Sequence, residues 1–193
     1  MLLVLVRHAL AEERDSSRWP DDSLRPLTRR GRRRFTQQAA ALGGGVRRVD
    51  CLLSSGYERA WATATLLARH AGTPKPRRET SLEGERIEDA FEAIRREAAR
   101  LGDDAVLALV GHEPMLSHLA AHLLAPTRSS DASVASPVKL TPSEPRPVKL
   151  RPVKPRPVKL RKGAMLGLRL GRSLEPGDAT LLWLLDPRFT RPT

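Results

Sequence analysis

Three short, mostly apolar runs set the terms for any fold of this chain. Leu2 to Val6, Val49 to Leu53 and Ala105 to Val110 each give way abruptly to polar residues: Arg7-His8, Ser54-Ser55 and Gly111-His112-Glu113. Runs this short suit strands better than helices. Strands without polar alternation are those buried on both faces, as in a parallel sheet. The segments between them read as helices. Thr28 can cap one through about Leu42, with Phe35, Ala39 and Leu42 on one face and Gly43-Gly44-Gly45 ending it. Tyr57 to His70 is a second, with Trp61, Thr65 and Ala68 in register. Ile87, Phe91, Ile94, Ala98 and Leu101 form the clearest apolar stripe, and Pro114 opens a helix through about Leu124. Ala164 to Leu170 and Ala179 to Leu185 read as two further strands. Strands alternating with helices predict an α/β three-layer sandwich with a mainly parallel central sheet.

At 193 residues the chain suits a single domain over 1–193. The expected interruption is a basic insertion at about 126–162. Pro-Val-Lys recurs there at Pro137, Pro147, Pro152 and Pro157, and eight of the 16 prolines fall in this stretch. Proline fixes φ and removes backbone donors, so the repeat predicts an extended, polyproline-like segment without core elements. Of the formal net charge of +12, this segment carries +8, which leaves an ordinary domain beside a strongly basic insertion. Three readings stand for it: a tolerated expansion of a surface loop, a nonspecific anchor for an anionic partner, or a Pro-rich ligand for another protein's groove. The repeat has no aromatic residue, which argues against base stacking. Cys51 has no partner for a disulfide, pointing to a reducing compartment. No signal peptide and no run of ~20 apolar residues is evident, so a cytoplasmic protein without a membrane span is expected.

Ligands of open α/β sheets bind at the carboxyl ends of strands. If the three polar strand ends converge, two histidines and two arginines line one pocket, since Arg59 lies one helical turn beyond Ser54-Ser55. Arginine offers planar bidentate donors to phosphoryl oxygens, and a neutral imidazole can attack phosphorus.

Leu5-Val6-Arg7-His8-Ala9, Leu27-Thr28 followed by Gly31, Ser54-Ser55 with Arg59-Ala60 and Thr63-Ala64, and Val110-Gly111-His112-Glu113-Pro114 occur in that order. Together they resemble the histidine phosphatase superfamily, and within it the small SixA-type phosphohistidine phosphatases. Lys162-Gly163-Ala164 and Leu184-Leu185-Asp186-Pro187 echo later features of that type. The resemblance covers residues 2–125 and 161–189. It implies a phosphoglycerate mutase-like fold, His8 as the nucleophile, and Arg7, Arg59 and His112 as holders of the phosphoryl oxygens. Arg25 would approach the substrate rim. Two positions depart from the pattern: Ala9 stands where the wider superfamily has glycine, as SixA-like members also do, and Gly56 stands where proline is frequent.

Larger superfamily members usually add a carboxylic general acid, for which Glu83 and Glu85 are the candidates here. Neither sits in a convincing motif. An alkoxide leaving group needs a proton donor far more than imidazole does, so a missing acid favours P–N bonds or activated esters. The expected activity is therefore a phosphatase without metal or other cofactor, acting on protein phosphohistidine. The alternatives are a small-molecule phosphomonoesterase and a catalytically weak basic scaffold on the same fold. His118 and His122 are spaced to share a metal but are read as a helix face.

Overall fold

The computed structural model describes residues 1–45, 48–125 and 159–187. Six strands form one sheet: β1 (Leu2–Arg7), β2 (Cys51–Ser54), β3 (Arg77–Arg78), β4 (Val106–Gly111), β5 (Met165–Leu170) and β6 (Ala179–Leu185). Their order is β3-β2-β4-β1-β5-β6. The β3–β2, β2–β4 and β4–β1 pairs are parallel, with Leu109 opposite both Leu5 and Leu53. The β1–β5 and β5–β6 pairs are antiparallel. Four helices complete the sandwich: α1 (Arg29–Gly45), α2 (Glu58–His70), α3 (Ile87–Leu101) and α4 (Met115–Leu124).

The continuous apolar character of β1 and β4 follows from their position. Leu3 and Leu5 join Leu107, Leu109, Phe91, Ile94, Leu116 and Leu119 in the core beneath α3 and α4. Val4 and Val6 point the other way, into the core that Val106, Val110, Phe35, Ala39 and Leu67 form with α1 and α2. Successive strand residues face opposite sides, so a strand covered on both has no place for a polar residue until it ends. The helices also keep the start the sequence predicts. Thr28 Oγ1 accepts from the Gly31 amide at 2.8 Å, satisfying a first-turn donor. Gly31 itself is required by packing, because a Cβ there would lie 2.0 Å from the Leu10 carbonyl oxygen.

Three local expectations need correction, and one strand goes unannounced by the sequence. The helix α1 continues through Gly45 rather than stopping at the glycines; each costs only about 1 kcal/mol in an established helix, too little to force an end. The buried face of α2 carries Arg59, Ala60, Thr63, Ala64 and Leu67, whereas Trp61, Thr65 and Ala68 are half-buried at the surface. Small residues on that face let the helix approach the sheet. The two-residue strand β3, both residues exposed, has no apolar pattern to announce it. Finally, Leu160 lies within the span assigned to the insertion yet is 1% exposed and joins the α3–α4 core. The Pro-Val-Lys repeat from Pro137 through Val158 lies outside the described residues, as does most of the insertion.

Candidate active site

The parallel half of the sheet brings three strand ends together. Backbone bonds fix them: the His8 amide donates to the Gly111 carbonyl at 3.0 Å, and the Ser55 amide donates to the Val110 carbonyl at 3.0 Å. The later chain closes on the same place. The Gly163 amide reaches the carbonyls of His8 (3.0 Å) and Arg7 (3.2 Å), from a backbone with φ of 84° that glycine adopts without strain. Arg7 Nη1 donates to the Leu160 carbonyl at 2.6 Å, while the Leu160 amide donates to Glu113 Oε1 at 3.0 Å.

His8 is 6% exposed, and its Nδ1 lies 2.7 Å from the Ala9 carbonyl oxygen. A carbonyl can only accept, so Nδ1 carries the proton and Nε2 keeps a lone pair. The Ala9 amide donates to Thr63 Oγ1 at 3.0 Å, and that hydroxyl donates to the Arg59 carbonyl at 2.6 Å, tying the histidine's loop to α2. The His112 ring stands 5.1 Å from that of His8 and 4.9 Å from that of Tyr57. Burial, then His112 and the two arginines, brings His8 down to about 3; its bond to Ala9 opposes them. Burial and then Arg59, Arg25 and Arg7 likewise bring His112 to about 3, against the pull of Asp22. Both rings are neutral near pH 7.

Arg59 is 6% exposed. Its Nη1 donates to the Asp22 carbonyl at 2.7 Å, and its Nη2 lies 3.0 Å from Asp22 Oδ2. Arg25 meets the other carboxylate oxygen, Nε to Oδ1 at 2.9 Å, and donates from Nη1 to the Glu12 carbonyl at 2.7 Å. Asp22 opens a 3-10 turn at Asp22–Leu24, so one short turn holds both arginines. Partial desolvation alone would raise the Asp22 carboxyl; Arg25, Arg59 and Arg14 overcome it and hold the group below the usual carboxylate range. Lys162 is exposed, yet its ammonium sits below the ordinary lysine range, first through desolvation and then through Arg7, Arg25 and Arg59.

Arg7, His8, Arg25, Arg59 and His112 therefore share one cationic centre. Among the described residues, three buried nitrogens there have no partner: Arg7 Nε, Arg59 Nε and His112 Nδ1. Buried polar atoms are rarely left so unless an anion or water meets them. Asp22, Ser55, Thr63 and Glu113 also bind this centre together, and Lys162 adds a further cation beside it; none carries a role in the sequence reading. For Asp22 the available signal was its place three residues before Arg25.

Glu83 lies beside this centre but does not suit a proton donor. It takes bonds from Arg78 Nε (2.7 Å) and Nη2 (2.9 Å), and one from the Gly56 amide at 2.9 Å. The Arg78 bonds outweigh partial desolvation and hold the carboxyl below its usual range, with Gly56 and His112 adding to the effect. The glycine at position 56 acquires a reason here, since proline has no amide hydrogen to give. Glu85 is exposed and no bond ties it to this centre. His118 is exposed and His122 packs edge-on against Phe91; among the described residues no group of three or more His, Cys, Asp or Glu is arranged to hold a metal. No described helix is long and apolar enough to cross a membrane.

Fold and strand-end site together define an α/β protein of the phosphoglycerate mutase-like type. Residues 3–83 match the model of the histidine phosphatase superfamily (branch 1). The chain is similar in structure to the protein histidine phosphatase SixA complexed with tungstate, with a TM-score of 0.73 and 19% identity over 99% of this chain and 100% of that one. A protein assigned as a phosphohistidine phosphatase SixA from Nakamurella multipartitia gives a TM-score of 0.67 and 23% identity, covering 96% of this chain and 95% of the other. A mycobacterial glucosyl-3-phosphoglycerate phosphatase gives 0.62 and 16%, covering 93% and 96%. No curated protein sequence matches the chain.

Proposed function

We propose that this chain is a phosphatase that works through a phosphohistidine at His8, without a metal, and that its substrate is a phosphohistidine side chain of another protein. The observation that carries the reading is the set of three unpartnered buried nitrogens, Arg7 Nε, Arg59 Nε and His112 Nδ1, around an imidazole whose Nε2 is free. They offer a phosphoryl group the oxygen contacts that its transition state demands.

In the first step the Nε2 lone pair of His8 forms a bond to phosphorus as the bond to the leaving group breaks. The His8 Nδ1 proton stays on the ring, and its hydrogen bond to the Ala9 carbonyl stabilises the resulting phosphoimidazolium. Water then attacks phosphorus, the P–Nε2 bond breaks, and inorganic phosphate leaves with neutral His8 restored. No proton donor is assigned to the first step: of the nearby carboxylates, Asp22 and Glu83 are paired with arginines, and Glu113 accepts the Leu160 amide. A phosphohistidine substrate needs none from the enzyme. When its distal ring nitrogen is protonated from solvent, it departs as neutral imidazole. An alkyl phosphate has no such route.

The test is single-turnover kinetics on a phosphohistidine-bearing protein and on an aryl phosphate, with wild type beside His8→Ala. Loss of the P–N phosphate with acid-labile phosphate trapped on His8, absent in the variant, is the expected result. Faster kcat/KM on a sugar or nucleotide phosphate would replace the protein substrate by a small molecule, as the likeness to the glucosyl-3-phosphoglycerate phosphatase fold allows. Equal inertness of both chains on every substrate would leave only a scaffold, with the basic segment as its binding part. We place the protein in the cytoplasm, where the free and buried Cys51 thiol persists.

A further inference from the structure

His112 has two ring nitrogens in different situations. Nε2 is 2.9 Å from Ser55 Oγ, whereas Nδ1 is buried and has no partner among the described residues. In a neutral ring only one of them carries the proton. The surroundings of Ser55 decide which. Ser55 is fully buried, and its Oγ accepts from the Tyr57 amide at 3.2 Å. The Ser55 hydroxyl proton must then go to an acceptor, and the only one within reach among the described residues is His112 Nε2. The neighbouring Ser54 hydroxyl is no substitute, because it donates to the Ser55 carbonyl at 2.9 Å.

We propose that Ser55 is a positioning residue: its hydroxyl, aligned by the Tyr57 amide, donates to His112 Nε2 and so keeps the proton of the neutral ring on Nδ1, where it serves a phosphoryl oxygen. The inference rests on the phosphatase reading for its purpose but not for its geometry. With the opposite tautomer, Nδ1 would present a lone pair to an oxyanion, turning an attraction into a repulsion. The Tyr57 ring, against one side of the imidazole, supplies a second restraint on its orientation. The amide of Tyr57 and the guanidinium of Arg59 both belong to the start of α2, and the Arg59 guanidinium lies over the Tyr57 ring at 5.0 Å. One turn of chain thereby sets an arginine donor and the protonation pattern of a histidine donor.

The experiment is long-range proton–nitrogen NMR of the full-length, histidine-labelled protein near pH 7, with and without inorganic phosphate. In wild type His112 is expected to show a protonated Nδ1 and an unprotonated Nε2, and phosphate should shift the Nδ1 signal. A wild-type His112 with its proton on Nε2 would overturn the proposal without any variant being made. Ser55→Ala should move a substantial share of the ring to the Nε2–H form and lower kcat about 10- to 100-fold, by analogy with the partners that orient metal-bound histidines. KM should change less than twofold. Unchanged kcat in a folded Ser55→Ala protein would overturn the proposal too. Ser55→Thr, which restores a hydroxyl, should recover both the Nδ1–H signature and most of kcat; a folded Thr variant with the Nε2–H form counts against it. Absence of phospho-His8 and of phosphate binding in wild type would sink the phosphatase reading instead, a result separable from the tautomer.

Discussion

Two arginine–carboxylate clusters stand on this sheet, and they are built on opposite rules. Around Glu97 of α3, a 1%-exposed carboxylate receives Arg77 Nη2 at 2.9 Å and Arg100 Nη2 at 2.8 Å, with Cys51 Sγ 3.6 Å away. Both arginines are exposed, so the donors that Glu97 does not take face water. This cluster buries the carboxylate and leaves its arginines to solvent. At the strand ends, Asp22 meets Arg59 and Arg25, but Arg7 and Lys162 bring further charge, and three buried nitrogens remain without partners. On the proposed reading, the strand-end cluster instead gathers positive charge toward phosphoryl oxygens.

The contrast can be broken at either cluster. The largest effect should come from His8→Ala, which removes the attacking nitrogen and is expected to abolish turnover and the acid-labile phosphoenzyme, read by single-turnover assay. Arg59→Lys keeps a charge but loses the fork held by Asp22; a fall of about 10²–10³ in kcat is expected from steady-state kinetics, the cost of losing one oxyanion donor. Glu97→Gln should do the opposite. Urea unfolding should show a loss of about 1–3 kcal/mol, since the half-exposed arginines can turn to water, while kcat of the folded protein stays near wild type. If Glu97→Gln lowered kcat as much as stability, the two clusters would not be independent.

Smaller shifts sharpen the same contrast. Asp22→Asn leaves the arginines uncompensated and less firmly aimed. Inorganic phosphate should then bind several-fold tighter by calorimetry, while kcat falls about 10-fold. The pH dependence is the mildest test. His8 and His112 fall from 6.5 in the unfolded chain to about 3 in the folded one, so the unfolded state binds more protons between those values. Stability is full above pH 6.5 and declines as pH falls toward 3, with a slope approaching about 1.4 kcal/mol per pH unit for each histidine. Urea midpoints from pH 8 to 4 should show it, and His8→Ala should flatten the slope.

Much of this was legible in the sequence because it was written in long patterns or in strict local chemistry. The two-sided burial of β1 and β4 shows as unbroken apolar runs, and the stripe on α3 shows as periodicity. The convergence of Arg7, Arg59 and His112 followed from strands that end in polar residues. The misses share a different cause. Asp22 and Ser55 act on Arg59 and His112, residues 37 and 57 positions away, a separation no periodicity encodes. Glu83 looked available as an acid because its partner, Arg78, sits on a two-residue strand too short to leave a pattern. Leu160 was hidden by its neighbours, being one apolar residue at the end of a Pro- and Lys-rich stretch.

The stitches at Leu160 and Gly163 have a consequence for how such a chain tolerates change. The strand that carries His8 is fastened to the returning chain at Leu160 and Gly163, and Glu113 fastens that same return to the strand end bearing His112. A mechanical stop of this kind fixes the last point that matters to the reacting geometry. If the repeat is the extended, coreless segment its sequence predicts, added length costs only roughly 0.6 kcal/mol per doubling. Tandem repeats can on that expectation accumulate between Leu124 and Lys159 while the strand ends bearing His8 and His112 stay fastened.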